Sequence, residues 1–404
     1  MGDVRLRIVI VIFSVALLVT GCVSLSERNP VPQRLVEEAQ ITGMGDARLW
    51  GDVVPKNINQ IVARKIKQIR TQRPSLLRAN HRAPINFLAL SGGADDGAFG
   101  AGLLAGWSKT GRRPKFEIVT GVSTGALMAP FVFLGPAYDG ILRKIYTRYS
   151  TKDILTKKPL AGLLGGSSLA DPTPLADLIA HHVDQALLNS IAREYRMGRT
   201  LLVSTTNLDA QRPVLWNMGR IAASGHHEAL SLFRRVLLAS VSIPGVFPPV
   251  QIKVMADGKH YDELHVDGGT SSKVFLLPTH LMFRSIDHQH PIKSKRRLFI
   301  IMNDQLVPVW KPVEASLFPL SQRSLKTLLK NQGIGDLSRL YISAQRDGTD
   351  YNLASIPSTF KKQKKEFFDK EYMTALFNLG FGLGRKGYRW AKQPPDLQTA
   401  SRTK

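Results

Sequence analysis

Gly121-Val122-Ser123-Thr124-Gly125 sets a serine between two glycines. The apolar run Phe116–Val122 precedes it, and Thr124–Leu134, whose spacing predicts a helix, follows. A G-x-S-x-G turn between strand and helix can hold a serine in a sharp bend with its hydroxyl projecting, as a nucleophile requires. Taken alone, the same five residues also fit an ordinary strand-to-helix turn. Acyl chemistry needs two further parts: a base for the hydroxyl proton, and donors for the oxyanion that forms when serine attacks a carbonyl carbon.

A second glycine-rich turn offers donors. "SGGADDGAFGAG" (Ser91–Gly102) follows the apolar run Ile85–Leu90. It contains neither G-x-x-x-x-G-K-[ST] nor G-x-G-x-x-G, so a nucleotide phosphate is disfavoured. It precedes Ser123 by one strand–helix–strand unit, and in a parallel sheet both turns would emerge at one edge. Inward amides of Gly92 and Gly93, with the N-terminal dipole of a helix from about Gly97, suit a single developing negative charge. Asp95 and Asp96 are then expected to be N-terminal helix acids with their carboxylates turned away. Ala94 adds a Cβ, which fits only if its φ is negative.

The base is harder to find. The last of the ten histidines is His290, and none lies in a convincing late loop of a serine–acid–histidine order. His265 precedes Asp267 by two residues and could share its strand face. His181-His182 and His226-His227 lie in helical stretches and read as surface or packing residues. They lack metal-ligand spacing, so no metal is expected, nor any other cofactor.

These turns must be carried by regular elements. Asn57–Gln72 has helical spacing, as do Pro174–Tyr195 and His226–Ser240. Leu201–Ser204 and Leu298–Met302 read as further buried strands. Asp257-Gly258 predicts a hairpin between Gln251–Ala256 and Lys259–Val266, whose second strand delivers Asp267-Gly268-Gly269. Residues 140–171 fit neither period and read as a loop or flap. Near the C-terminus a basic run (Lys361, Lys362, Lys364, Lys365) precedes the stripe Phe368, Tyr372, Leu376, Leu379, read mainly as core packing. The alternation predicts a layered α/β sheet. We divide the chain into residues 1–21, a leader; 22–84, a lead-in; 85–285, the catalytic core; and 286–404, the rest of the same domain.

The leader is read from Arg5 and Arg7, the apolar stretch Ile8–Val19, and Leu18-Val19-Thr20-Gly21-Cys22. The stretch is short for a bilayer span, which needs about 20 residues, but suits a secretory signal. Cys22, the one cysteine of the chain, stands where a bacterial lipobox places the lipidated residue. We therefore expect a lipid-anchored protein of the bacterial envelope. Val23 rather than aspartate at the next position favours the outer membrane. The net charge is +24, which favours polyanions; export argues for anionic lipid and against nucleic acid.

Together the motifs resemble the patatin-like phospholipase family. The resemblance rests on the loop Ser91–Gly102, on Gly121–Gly125, on "ASVSIPGVFPPV" (Ala239–Val250) and on Asp267-Gly268-Gly269. "RLWGD" (Arg48–Asp52) and "FDKEYM" (Phe368–Met373) are similar to flanks of bacterial members. The resemblance implies a three-layer α/β/α fold with a mainly parallel sheet and a serine–aspartate dyad that uses no histidine. Carried over residue by residue, Ser123 is the nucleophile between the elbow glycines Gly121 and Gly125. Asp267 is the base ahead of Gly268 and Gly269, and Gly92, Gly93 and Ala94 form the oxyanion loop. The family commonly shows G-G-G-x-[RK]-G, whereas residues 92–97 read Gly-Gly-Ala-Asp-Asp-Gly, with Asp96 at the basic position. The implied activity is hydrolysis of phospholipid or related acyl esters at a membrane. A lipid acyltransferase on the same dyad and a non-catalytic binder of anionic lipid are the alternatives.

Overall fold

The computed structural model describes residues 28–77, 83–157, 168–278, 281, 283, 286 and 294–397. The leader and Cys22 lie outside the described residues.

Nine strands build the main sheet: β1 (Arg48–Trp50), β2 (Ile85–Leu90), β3 (Ile118–Val122), β4 (Thr200–Asn207), β5 (Arg212–Asn217), β6 (Val250–Ala256), β7 (Lys259–Asp267), β8 (Arg296–Met302) and β9 (Thr349–Ser355). Their order is β1-β5-β4-β3-β2-β8-β9, and the five from β4 to β9 run parallel. β5 and β1 continue the sheet antiparallel. Residues 48–50, from the segment ahead of the glycine-rich turns, thus supply an edge strand. The β6–β7 hairpin closes through Asp257 and Gly258, both at positive φ (47° and 67°), the conformation its turn type requires.

The alternation of the central strands shows why helices cover both faces. Leu88 and Leu90 of β2, with Phe299 and Ile301 of β8, enter one apolar layer. Phe87 and Ala89, with Leu298 and Ile300, enter the opposite one. A strand apolar on both faces must be covered on both, and the fold is the three-layer α/β/α arrangement. The first layer includes α2 (Gly97–Ser108), α3 (Thr124–Leu134) and α7 (Ala229–Ser240); the second includes the C-terminal half of α8 (Leu317–Arg346) through Leu337 and Ala344. Ahead of them lies α1 (Ile58–Gln72), and between α3 and α7 run α4 (Asp139–Arg148), α5 (Thr173–His182) and α6 (Gln185–Arg196).

Two element assignments need correction. Pro174–Tyr195 is two helices, because Asp184 accepts the Leu187 amide (2.8 Å) and caps a new start. Residues 140–171 are not one loop: α4 buries Leu142 and Tyr146, and Thr151–Ile154 forms a further turn with a Ser150–Asp153 capping box. Residues 158–167 of that stretch lie outside the described residues.

The final helix, α9 (Lys370–Lys386), packs on α2 backbone to backbone. A Cβ on Gly102 or Gly106 would come within 2.1 Å of the carbonyl oxygen of Phe377 or Phe381, and one on Gly380 or Gly384 within 2.3 Å of that of Phe99 or Leu103. Tyr372 and Leu376 of the C-terminal stripe are buried in this contact. The packing brings residues 364–373 against the turn at the start of α2.

Candidate active site

β3 ends at Val122 and α3 begins at Thr124, so Ser123 alone makes the bend. Its φ of 54° and ψ of −125° lie outside the regions open to most side chains, a strain of about 1–3 kcal/mol. The flanking glycines are steric necessities. A Cβ on Gly121 would stand 2.5 Å from the carbonyl oxygen of Gly125, and one on Gly125 2.4 Å from that of Leu90. The Ser123 amide donates to Ser240 Oγ (3.1 Å), whose hydroxyl donates to the Ser204 carbonyl (2.7 Å). Ser240, from "ASVSIPGVFPPV", therefore braces the bend from below.

Register brings Asp267 to the serine. β3 pairs with β4 up to Val122↔Ser204, then turns away into α3. β7 takes over the edge of β4 that β3 vacates, pairing antiparallel from Thr205↔Asp267. The last residue of β7 thus falls next in line after the last residue of β3. The Asp267 carboxylate accepts the Gly269 amide (2.7 Å). Burial pushes its pKa up to about 6, while the nearby Ser123 hydroxyl, the Gly269 amide and the Lys273 ammonium pull the other way. A carboxylate so desolvated is a stronger base than one in water.

The glycine-rich turn lies over this pair, with three departures from expectation. The Gly92 amide is not aimed at the site: it donates to the Lys273 carbonyl (3.0 Å). Gly92 instead lets the chain pass the serine, since a Cβ there would lie 3.1 Å from Ser123 Cβ. Among the described residues no acceptor takes the amides of Gly93 or Ala94, so both are free to donate. Ala94 does not have the negative φ its Cβ favours; it sits at +50°, a strain of about 1–2 kcal/mol. Its Cβ lines the cleft beside Ser123.

The aspartates are the third departure. Neither carboxylate caps α2. Asp95 is buried and pairs with Lys364 Nζ (2.7 Å), and it also accepts the Phe368 amide (3.3 Å). Asp96 accepts the Tyr372 hydroxyl (2.6 Å), and its pKa is pushed up to about 6, first by burial and next by Asp95. The cation that the resemblance places within the turn comes here from Lys364, a residue 268 positions beyond Asp96. Behind the turn, Asn303 follows β8: its side chain donates to the Ser91 carbonyl (2.9 Å) and accepts the Gly100 amide (3.1 Å). No motif marks Lys364 or Asn303, whereas Ser240 lies in the segment Ala239–Val250. Asn303 could be sought only as the residue after a strand neighbouring β2.

From Ser123 an apolar cleft extends between α3 and α5, lined by Leu127, Phe131, Leu178, Leu237 and Phe368 among others. Its lining suits a hydrophobic chain. His265 is buried between Thr205 Oγ1 (2.8 Å) and Glu263 (3.0 Å), and burial lowers its pKa although Glu263 opposes this. Glu263 also pairs with Arg48 of β1. His182 is not simply a packing residue: it lines the cleft, bonds to Tyr149 (3.0 Å), and is held down to about 4 by burial. The spacing argument against metal ligation does not hold for His226 and His227. With Glu228 their ligand atoms lie within 4.8 Å of one another, although His226 Nδ1 already accepts the Glu228 amide (3.2 Å).

A strained serine at the carboxyl edge of a parallel sheet, beside a buried carboxylate and an apolar cleft, defines the class of α/β proteins built for acyl chemistry. Residues 88–280 match the model described as patatin-like phospholipase. That stretch, which holds Ser123 and Asp267, is similar to a domain of that family, and the three-layer arrangement agrees with it. Among solved structures it is similar to VipD from Legionella pneumophila (9% identity, 76% of this chain and 67% of that one, TM-score 0.31). It is also similar to human GIVD cytosolic phospholipase A2 (11%, 78% and 52%, 0.28) and to the type III effector ExoU (12%, 75% and 53%, 0.29). The chain spans about half the length of the last two. No curated protein matches it.

Proposed function

We propose that the protein is a serine acyl hydrolase that cleaves acyl esters of phospholipids or related lipids, with Ser123 as nucleophile and Asp267 as base. The observation that carries this reading is the strained Ser123, whose hydroxyl acts on the buried Asp267 carboxylate, at the mouth of an apolar cleft. Asp267 takes the hydroxyl proton as Oγ bonds to the carbonyl carbon. The oxyanion lies against the Gly93 and Ala94 amides, each donor of this kind contributing about 3–4 kcal/mol. Collapse breaks the ester bond, and the leaving alcohol takes the proton from Asp267. Water then attacks the acyl-serine as its proton passes to Asp267. The fatty acid leaves when Ser123 recovers that proton.

The match of residues 88–280 to the patatin-like phospholipase model supports lipid esters as the substrate class. The site needs no metal or cofactor for these steps. The test is fluorophosphonate labelling and phospholipid turnover in the parent and in Ser123→Ala. Loss of both is expected, and labelling that persists refutes the nucleophile. An acyl-acceptor product formed in place of free fatty acid would make the protein a transferase. We further propose attachment to the bacterial envelope, in its outer membrane, through Cys22. Palmitate incorporation should vanish in Cys22→Ser, and label that persists refutes the anchor.

A further inference from the structure

Between β8 and the buried half of α8 the chain leaves the body of the protein and returns as a finger. Residues 305–316 form the outgoing arm, with Pro308 and Pro312 favouring an extended path. α8 is the returning arm; its first buried residue, among those described, is Gly333. Arg323 donates to the Val309 carbonyl (2.6 Å) and Lys330 to that of Val307, which zips the arms together.

The finger holds apolar side chains that nothing in the described chain covers. Trp310 is 87% exposed, Leu317 84% and Leu328 68%, and Val309, Leu320 and Leu325 are also exposed. So many large apolar groups in one exposed element indicate a surface made for contact. At roughly 100° per residue, leucines 317, 320, 325 and 328 fall within an arc of about 140°, while Arg323, Lys326 and Lys330 lie opposite. Residues 305–330 contain four cations, Lys311, Arg323, Lys326 and Lys330, against the single acid Glu314. Lysine is depleted in protein interface cores. An apolar stripe backed by cations, with an exposed tryptophan on the outgoing arm, suits the boundary between anionic headgroups and acyl chains.

The root of the finger is tied to the catalytic edge. Asp304 pairs with Lys273 Nζ (2.5 Å), and the Lys273 carbonyl accepts the Gly92 amide. Asn303, next to Asp304, fixes Ser91. We propose that this finger docks the protein on an anionic lipid bilayer and presents the cleft to it; the proposal rests on the lipid acyl hydrolase reading.

The test uses the full chain with Ser123→Ala and Cys22→Ser, carrying an environment-sensitive NBD label at Leu317→Cys. On phosphatidylcholine–phosphatidylglycerol vesicles the label should blue-shift and brighten, and added salt should weaken the response by screening. The same label at the exposed Ala186→Cys should stay unchanged. No change at 317 on these vesicles overturns the proposal. So does a shift without vesicles that grows with protein concentration, which would mark a second copy as the occupant. With Ser123 intact, Leu317→Ser with Leu320→Ser should lower turnover on anionic vesicles at least about tenfold, because two leucine side chains no longer enter the acyl region. Turnover of a dissolved short-chain ester should be unaffected, and equal loss on both substrates also overturns the proposal. Insertion without Ser123-dependent lipid turnover refutes the hydrolase reading alone.

Discussion

Asp267→Asn should abolish activity and make the protein more stable. Asp267 moves from an ordinary value of 3.8 to about 6 on folding, with burial as the main cause. Its charged form is therefore less favourable in the folded protein than in the unfolded chain. Well below pH 3.8, at about pH 2–3, the carboxyl is protonated in both states and contributes almost no penalty. As pH rises through about 4 toward 6 the unfolded chain ionises first, and stability falls. Above about pH 6 the penalty is complete, about 3 kcal/mol at 1.36 kcal/mol per unit. Asparagine keeps an oxygen for the Ser123 hydroxyl and the Gly269 amide, and it carries no charge to bury. Turnover should fall by about 10²–10⁴, the usual contribution of a general base. Thermal or urea unfolding at pH 7 should show a gain approaching 3 kcal/mol that shrinks to near zero at about pH 3. The comparison with the parent also removes the share of Asp96, which titrates in the same range. An asparagine variant no more stable than the parent at pH 7, or one whose full gain persists at about pH 3, refutes the argument.

Three further outcomes are expected. The kcat/KM for a dissolved ester should rise with unit slope up to pH about 6 and then level as Asp267 ionises; a flat profile from pH 5 to 8 refutes Asp267 as base. Ala94→Gly should relieve the strain at φ +50° and raise stability by about 1 kcal/mol in urea unfolding, with Ser123 labelling retained; a loss of stability refutes the strain. Lys364→Met should cost about 3 kcal/mol by leaving Asp95 buried without its cation. Adding Asp95→Asn should recover most of that cost, and an additive double-mutant cycle refutes the coupling.

Local pattern was enough for the parts made by contiguous residues. Apolar runs and helical spacing located β2, β3 and α3, and Asp257-Gly258 located the β6–β7 hairpin, because turn chemistry and side-chain direction are set by backbone geometry within a few residues. Ser123 was legible for the same reason: a bend so tight forces glycine at 121 and 125, and glycine is visible. Asp267 was visible as part of a turn, and only the family resemblance gave it a role. Its place beside Ser123 depends on β7 filling the edge that β3 leaves at Val122, a register between segments far apart in the chain.

What folding alone decided is how the glycine-rich turn is held and charged. Sequence raised Asp95 and Asp96 as an anomaly, and the nearest explanation was the nearest helix. The structure answers with Lys364 and Tyr372, delivered by the glycine contact between α2 and α9. It also assigns the Gly92 amide to Lys273 and gives Ala94 a positive φ. The finger around Trp310 was equally invisible, because its apolar residues look like core until the packing shows that nothing covers them. Motif and period are properties of neighbours along the chain. Charge partners, amide acceptors and exposure are properties of neighbours in space, and only the tertiary structure sets those.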